Sequence, residues 1–263
     1  MALKKRAGND RRAVQNAMKT LLANIRFASV DKPIQTLAVT SSKPKEGKST
    51  TACNLARAIA SSGASVVLVE CDMRRRSLAN MLGVHSSGGI YAVLSEQATL
   101  DEALVEVDQP GMFFLDCEPH IPNPADLIAS RRFADLISQL ENRFNYVVVD
   151  TPPVGAFVDA AEIGQLVDGV IFVIRENYTR RKEVVDAVAQ LRKAEVHIIG
   201  TVMNCCENIG NEYYYSYYSK DGSHHKSGAG QPDPVADGVL SAPVKLEPAS
   251  RTKRPSGSRF AKR

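Results

Sequence analysis

The chain has 263 residues, of which 44% are hydrophobic and 24% are charged, and its formal net charge is +4. That length fits one large domain or two small ones, and the apolar fraction is sufficient to bury a core, so a wholly disordered or fibrous protein is excluded. The charge is segregated, because residues 1–27 carry +6, residues 28–218 carry −7 and residues 219–263 carry +5. An acidic body with basic ends lacks the basic reading face of a nucleic-acid binder, so we expect no nucleic-acid partner. The basic ends either solubilise the chain or contact an anionic membrane surface or an acidic partner.

The sequence carries no signal for export or for a membrane span. No segment approaches 18 uninterrupted apolar residues, and the basic start runs into Gly8-Asn9-Asp10 instead of an apolar stretch. The five cysteines have no C-x-x-C spacing, which favours reduced thiols, although a redox role for the adjacent pair Cys205-Cys206 remains open. These features predict a cytoplasmic protein.

In chain order, the spacing first predicts a helix over residues 11–27 and then alternating strands and helices. The predicted strands cover residues 36–40, 66–69, 112–115, 146–149, 170–174 and 196–202, and the predicted helices cover residues 50–60, 124–140, 160–166 and 181–194. Short apolar runs that alternate with amphipathic helices are typical of β-α-β units. We therefore predict an α/β fold, a doubly wound and mainly parallel sheet flanked by helices, with an N-terminal helix in front.

A phosphate-binding loop lies between the first predicted strand and the helix that follows. It is made of Ser42, Lys43, Pro44, Lys45, Glu46, Gly47, Lys48, Ser49 and Thr50. This is the G-x-x-x-x-G-K-S/T pattern with Ser in place of the first Gly. Backbone N–H groups and the positive helix end would cradle phosphates, while Lys48 reaches the β and γ phosphates and Ser49 ligates Mg²⁺. The alternative, a lysine-rich turn capped by Ser49, does not explain the strand–loop–helix setting.

Two further predicted strands end in carboxylates. The strand at 66–69 runs into Glu70-Cys71-Asp72, and the strand at 146–149 runs into Asp150-Thr151-Pro152-Pro153. Ligands of open parallel sheets bind at the carboxyl ends of the strands, where acidic side chains can hold Mg²⁺ directly or through water. Either Asp alone would fit a strand-end cap, but the pair beside a phosphate loop favours a metal site that includes Ser49, Asp72 and Asp150.

The periodic pattern stops near residue 210, and a tyrosine cluster and a polar tail follow. The cluster contains Tyr213, Tyr214, Tyr215, Tyr217 and Tyr218. From residue 219 onward Gly, Ser, Pro, Lys and Arg dominate, a composition that predicts a disordered tail. The cluster is interpreted as a set of phosphoacceptors or, alternatively, as an aromatic stacking surface for nucleic acid or sugar; it contains no interleaved Lys or Arg, which favours the first.

Together these motifs resemble those of the bacterial tyrosine kinases (BY-kinases) of capsule and exopolysaccharide synthesis, in their stand-alone cytoplasmic form. The resemblance covers roughly residues 14–218 and is carried by the phosphate loop, Glu70-Cys71-Asp72-Met73-Arg74-Arg75, Ile121-Pro122-Asn123-Pro124, Asp150-Thr151-Pro152-Pro153, Asp159-Ala160 and the tyrosine cluster. It implies three regions: a basic arm and helix over 1–34, an ATP-binding kinase domain over 35–210, and the tyrosine cluster with its tail over 211–263.

The resemblance also implies roles for single residues. Residues 42–50 would bind ATP·Mg²⁺, with Lys48, Asp72 and Asp150 catalytic and Asp72 close to the acceptor hydroxyl. Asn204 resembles the adenine-contacting Asn of this superfamily. The clustered tyrosines would be phosphorylated by a neighbouring subunit. The implied partners are other copies of the chain, the cytoplasmic tail of a membrane activator or polysaccharide co-polymerase, and a protein-tyrosine phosphatase, with recruitment to the inner face of the plasma membrane.

Three features depart from the family pattern: one loop residue, one strand-end acid and the assembly helix. Lys45 replaces a usual Gly and would be strained if that position needs a positive φ, unless its charge helps to hold phosphate. Glu70 replaces a usual Asp. The family's assembly helix usually reads E-x-x-R-x-x-R-x-N, and here only Asn24 matches, because Asn16, Lys19 and Leu22 occupy the other places.

Two other classes of protein remain open. A partitioning-type ATPase would hydrolyse ATP without phosphorylating protein, and its support is Lys43, at the place of that group's signature lysine. A catalytically weak nucleotide-dependent scaffold is favoured by Lys45, Glu70 and the eroded assembly helix. The run Arg74-Arg75-Arg76 either solvates a loop or docks phosphate or acceptor, and His224-His225 are interpreted as bystanders rather than metal ligands.

Overall fold

The protein folds around a seven-stranded sheet in a computed structural model that describes residues 2–29 and 32–206, with the backbone alone for residues 2–10. The strands are β1 (Thr36–Ser41), β2 (Val66–Glu70), β3 (Leu104–Glu106), β4 (Met112–Leu115), β5 (Tyr146–Asp150), β6 (Gly169–Arg175) and β7 (Ile198–Asn204). Their order across the sheet is β3-β4-β2-β5-β1-β6-β7. The tyrosine cluster and the predicted tail lie outside the described residues.

Helices of very different lengths connect these strands. They are α1 (Ala2–Phe27), α2 (Lys48–Ser61), α3 (Leu78–Leu82), α4 (Ile90–Leu94), α5 (Leu100–Ala103), α6 (Pro124–Ile128), α7 (Arg131–Arg143), α8 (Asp159–Leu166) and α9 (Arg181–Lys193). No helix among the described residues is both long and apolar enough to cross a membrane.

The predicted parallel sheet is confirmed. Strands β1, β2 and β5 are buried along nearly their whole length, with helical layers over both faces of the sheet. This explains why they read as continuous apolar runs rather than as alternating ones. The prediction missed β3, a three-residue edge strand that pairs antiparallel with β4. Such a short, half-exposed segment carries no periodic signal.

The predicted helix over 124–140 is wrong in one respect, because two helices occupy this region. α6 ends at Ile128, and Ser130 then caps the start of α7 by accepting a hydrogen bond from the Phe133 N–H at 3.2 Å. A serine side chain that caps a helix competes with continuation of the preceding one. The N-terminal helix, predicted over 11–27, lies within α1.

The strand order decides where the motifs meet. β5 lies between β2 and β1, so that Glu70 is in register with Asp150, and Asp150 is in register with Val39. The phosphate loop leaves β1 at the same edge of the sheet. The three segments that the sequence marks as functional therefore converge at the carboxyl ends of adjacent parallel strands.

Candidate nucleotide and phosphoryl-transfer site

The phosphate loop, residues 42–50, joins β1 directly to α2. Gly47, just before the helix, has φ of 92°, and a Cβ there would lie 1.9 Å from Nδ2 of Asn204, so only glycine fits. Lys45 has φ of 68°, so the position does adopt the positive φ at which a residue other than glycine is strained. A non-glycine residue in this region is strained by about 1–2 kcal/mol.

Glu46 holds the loop together from inside. Its carboxylate is buried and accepts hydrogen bonds from the Ser42 hydroxyl at 3.0 Å, from the Lys43 N–H at 2.7 Å, and from the Thr179 hydroxyl. The Glu46 side chain therefore cross-links the loop to the segment before α9. Sequence reasoning placed Glu46 in the loop but missed this use of its side chain, because Thr179 is 133 residues away.

Asn204 fixes the same loop from the end of β7. Its Nδ2 donates to the Glu46 carbonyl at 2.8 Å, and its Oδ1 accepts from the Cys205 N–H at 2.9 Å. The structure thus brings Asn204 to the phosphate loop, where its side chain is hydrogen-bonded to the loop backbone. Contact of Asn204 with adenine stays a prediction.

Lys43 is turned toward the β6–α9 side of the loop. Its Nζ forms an ion pair with Glu183 at 2.8 Å, donates to the Tyr178 carbonyl at 3.0 Å and lies 4.3 Å from the centroid of the Tyr178 ring. The tyrosine hydroxyl in turn donates to the Pro44 carbonyl at 3.3 Å. The Lys43 side chain is therefore bound to Glu183 and Tyr178 of its own chain.

Lys48 and Asp72 form the ion pair at the centre of the site. Lys48 Nζ lies 2.8 Å from Asp72 Oδ2, and their side chains are only 12% and 4% exposed. Burial acts to lower the pKa of Lys48, but the negative charges of Asp150 and Asp72 outweigh it and raise that pKa. Lys48 is therefore cationic at neutral pH. Asp72 is oriented by its own turn, since its Oδ1 accepts from the Arg75 N–H at 3.1 Å.

Asp150 is a fully buried carboxylate without a hydrogen-bond partner for either oxygen among the described residues. Burial raises the pKa of Asp150 well above its usual range, while the charge of Lys48 and, more weakly, the nearby Ser49 hydroxyl act in the opposite direction. A buried, unpartnered carboxylate beside a serine hydroxyl is an oxygen donor set that fits Mg²⁺.

Glu70 is the third carboxylate at this edge, and its oxygens are used by the backbone. It accepts hydrogen bonds from Ser77 N–H at 2.8 Å, from Leu78 N–H at 2.9 Å and from Asp72 N–H at 3.3 Å. Burial raises the pKa of Glu70 although these hydrogen bonds oppose the change. Glu70 therefore anchors the start of α3 and the turn that carries Asp72.

The arginine run after Asp72 is partly neutralised. Arg74 donates two hydrogen bonds, both 3.2 Å long, to the fully buried Asp159, and Arg76 pairs with Asp116 at the end of β4. The exposed Arg75 makes no ion pair among the described residues. The sequence predicted no role for Asp159 or for Asp116, although Asp116 follows β4 just as Asp72 follows β2.

The chain is a P-loop nucleotide-binding protein. This class is indicated by a largely buried lysine at the start of a helix, a loop that requires glycine, and a strand-end carboxylate without a hydrogen-bond partner among the described residues. A family model described as ParA, NUBPL iron-transfer P-loop NTPase, matches residues 33–230. The fold agrees with this class.

Comparisons with individual proteins narrow the class. The chain is 31% identical to the tyrosine-protein kinase YwqD of Bacillus subtilis over 76% of its own length and 84% of the relative's. It is 34% identical to the tyrosine-protein kinase CpsD of Streptococcus pneumoniae over 73% and 85%. The solved kinase domain of the Escherichia coli tyrosine kinase ETK superposes with a TM-score of 0.71 at 25% identity, covering 82% of this chain and 80% of that one. The chain therefore belongs to the bacterial tyrosine kinases, within the ParA-like P-loop NTPases, and it is a nucleotide-binding protein-tyrosine kinase.

Proposed function

We propose that the protein transfers the γ-phosphoryl group of ATP to tyrosines 213–218 of a neighbouring copy of the chain. The observation that carries this proposal is the buried Lys48–Asp72 ion pair, next to the unpartnered Asp150, at the carboxyl edge of the sheet. One cation, the carboxylate paired with it and one buried carboxylate without a hydrogen-bond partner among the described residues supply the groups that phosphoryl transfer needs.

In this proposal the loop residues bind the nucleotide. Backbone N–H groups of residues 42–50 and the start of α2 hold the phosphates, with Lys48 at the β and γ positions. Asn204 would contact adenine while it also holds the backbone of the loop through the Glu46 carbonyl. Lys43 and Glu46 act on loop shape, because their side chains are engaged with Glu183 and Thr179.

Asp150, Asp72 and Ser49 are the residues that would hold Mg²⁺, directly or through water. The metal, when bound, neutralises charge on the phosphates and so lowers the barrier for transfer. Asp150 would bind in its ionised form, which the metal favours and burial alone disfavours.

The transfer step balances within the residues of the site. The phenolic oxygen of the acceptor forms a bond to the γ-phosphorus, the bond from that phosphorus to the β–γ bridging oxygen breaks, and ADP leaves with the electron pair. The phenolic proton passes to the Asp72 carboxylate, because a tyrosine with a pKa near 10 is protonated at neutral pH. Lys48, which leaves Asp72 for the β and γ phosphates when the nucleotide binds, stabilises the charge that develops on them.

The wider setting follows from the family. We infer that the kinase domain, residues 35–210, works with a membrane activator at the inner face of the plasma membrane, in the cytoplasm, and regulates capsule or exopolysaccharide synthesis. A protein-tyrosine phosphatase would reverse the modification of the 211–263 tail, and the arm over 1–34 would take part in assembly of copies.

Transfer of radiolabel from ATP to the chain tests the catalytic part. We expect Lys48→Met and Asp72→Asn to lower labelling by at least about 100-fold, because each removes a charged group from the transition state. Lys182→Met is the control, since it removes an exposed lysine on α9 outside the phosphate loop, and it should keep most of the activity.

Equal labelling of wild type, Lys48→Met and Asp72→Asn would overturn the proposal. Anti-phosphotyrosine blotting after incubation with ATP separates the other classes. ATP hydrolysis without phosphotyrosine would indicate a partitioning-type ATPase, and nucleotide binding without either would indicate a scaffold. Addition of the cytoplasmic tail of a candidate activator should increase the signal.

A further inference from the structure

An aromatic ring is exposed at the border of the site, on the segment that joins β5 to α8. Phe157 is 36% exposed to solvent, and the next residue, Val158, is 62% exposed. Neither side chain belongs to the nucleotide site described above. A single exposed apolar residue needs no explanation, but a ring that is held in one orientation against Arg74, two residues after Asp72, does.

The Phe157 ring is held in place by an ion pair whose carboxylate, Asp159, is buried and whose arginine, Arg74, is partly exposed. The guanidinium carbon of Arg74 lies 4.0 Å from the ring centroid, and the same guanidinium is fixed by its two hydrogen bonds to the fully buried Asp159. The backbone N–H of Phe157 donates to the Pro153 carbonyl at 3.2 Å. Because Asp159 neutralises Arg74, the arginine acts on the ring rather than as a free phosphate ligand.

The Phe157 ring contacts the turn that carries Asp72, and the segment that contains Phe157 is hydrogen-bonded to the phosphate loop. On one side Arg74 belongs to the turn that carries Asp72, which is closed by a hydrogen bond from Arg75 N–H to the Asp72 carbonyl at 2.9 Å. On the other side the Gly155 N–H donates to the Ser42 carbonyl at 3.1 Å, at the start of the phosphate loop. A Cβ at Gly155 would lie 2.5 Å from that carbonyl oxygen, so the approach requires glycine. The segment that carries Phe157 thus lies between the phosphate loop and the turn of Asp72, and contacts on both sides hold it there.

We propose that Phe157 forms the binding surface for the acceptor side chain, a tyrosine of a polypeptide, whose ring packs against it with the phenolic oxygen directed to Asp72. This inference rests on the proposed function, because it assigns the acceptor part of the same site. Arg74 and Asp159 are positioning residues that keep the Phe157 ring in place. An aromatic surface favours a phenol over the short, non-aromatic side chains of serine and threonine.

The expected size of the effect follows from aromatic packing. A favourable pair of rings changes binding by a factor of about 2 to 10 beyond simple burial. Loss of the Phe157 ring should therefore raise the KM for the acceptor protein several-fold. The KM for ATP should change by less than about twofold, because the phosphate loop keeps its own hydrogen bonds.

The experiment separates acceptor from enzyme. The acceptor is the full-length chain with Lys48→Met, which keeps its tyrosines but has lost transfer. The enzyme is the full-length chain with the five clustered tyrosines changed to phenylalanine, so that label enters the acceptor alone. Initial rates with radiolabelled ATP are measured against acceptor concentration for enzymes that carry Phe157→Ala, Phe157→Trp or Val158→Ala, with the assembly size determined at the assay concentration.

We expect Phe157→Ala to raise the acceptor KM about 3- to 10-fold, Phe157→Trp to restore it, and Val158→Ala to resemble the parent enzyme. An unchanged acceptor KM in Phe157→Ala, with a parent enzyme that transfers phosphate, would overturn this inference alone. An equal rise in the KM for ATP would also overturn it, since the segment would then shape the nucleotide site. Joint loss of activity and assembly in Phe157→Ala and Val158→Ala would identify a subunit contact instead. A parent enzyme that transfers no phosphate to tyrosine would overturn the proposed function as well.

Discussion

Three carboxylates at one edge of the sheet have three different environments. Asp72 is paired with Lys48, and Glu70 is hydrogen-bonded to three backbone N–H groups. Asp150 has no hydrogen-bond partner among the described residues and is affected by Lys48 through its charge alone. The sequence alone marks all three as acidic residues after strands. Only their neighbours separate a structural acid from one that is free to bind a cation.

Asp150 should lower the stability of the metal-free protein as the pH rises. Its pKa in the folded state is raised above the unfolded value near 4, so between that value and the folded pKa the native state binds more protons than the unfolded state. Stability therefore falls with increasing pH in this window. We expect Asp150→Asn, measured by urea unfolding in chelator, to be about 1–2 kcal/mol more stable than wild type at pH 8 and nearly equal at pH 4.

The control for Asp150→Asn is the same measurement on Asp186→Asn, which alters an exposed carboxylate on α9 and should leave the pH profile unchanged. A parallel profile for wild type and Asp150→Asn would contradict the assignment of Asp150 as an uncompensated buried acid. The gain in stability should be accompanied by loss of phosphoryl transfer.

Lys45 stores strain in the phosphate loop. At φ of 68° the Cβ of any residue other than glycine is too close to its own backbone. Lys45 is exposed, so its side chain gains no free energy from burial that could offset this strain. Lys45→Gly should raise the free energy of unfolding by about 0.5–1 kcal/mol. Lys45→Ala removes the charge but keeps the strain, and it should give no such gain in thermal or urea unfolding.

At the scale of elements, the local patterns predict most of the sheet and the helices that cover it. They fail where an element is set by distant packing. β3 is only three residues long and is fixed by pairing with β4, and the break between α6 and α7 depends on the orientation of one serine hydroxyl. Neither feature changes the apolar periodicity from which helices and strands are predicted.

Asp168 joins the beginnings of β1 and β6 and should contribute to stability at neutral pH. Burial alone would raise its pKa, but hydrogen bonds from Lys32 and from the backbone of Thr36 and Gln35 lower it to about 2. A lowered folded pKa means that the stabilisation is complete above the unfolded pKa, near 4, and is lost as the pH falls toward 2. Asp168→Asn should cost about 1–2 kcal/mol at pH 7, because the exposed Lys32 end of the network is screened by solvent.

Urea unfolding at several pH values measures the effect of Asp168→Asn. The difference from wild type should shrink between pH 4 and pH 2. Lys182→Met, which breaks an exposed pair with Asp186 on one helix, is the control and should leave the free energy of unfolding nearly unchanged. A constant difference down to pH 2 would show that the lost carboxylate acts through packing rather than through its charge.

At the scale of the whole molecule, the sequence identifies the segments of the site better than the contacts between them. The phosphate loop and the strand-end acids are local motifs, so they can be recognised from neighbouring residues. The bond of Asn204 to Glu46 joins residues 158 positions apart, and the Arg74–Asp159 pair joins residues 85 apart. Such contacts follow from strand order, which a single sequence does not specify.

Phosphorylation of the tyrosine cluster should weaken assembly of the chain. Each phosphate adds about −1.5 to −2 charges, and residues 28–218 already carry a net charge of −7, so a phosphorylated segment is repelled by the body of a neighbouring copy. The test compares the assembly size of wild type after incubation with ATP with that of a variant in which the five tyrosines of residues 213–218 are phenylalanine. We expect wild type to become smaller and the variant to stay unchanged, with a smaller difference at high salt because exposed charges are screened. Wild type treated with ATP and then with a protein-tyrosine phosphatase should recover its original size; equal sizes for wild type and variant under all conditions would contradict a charge-controlled assembly.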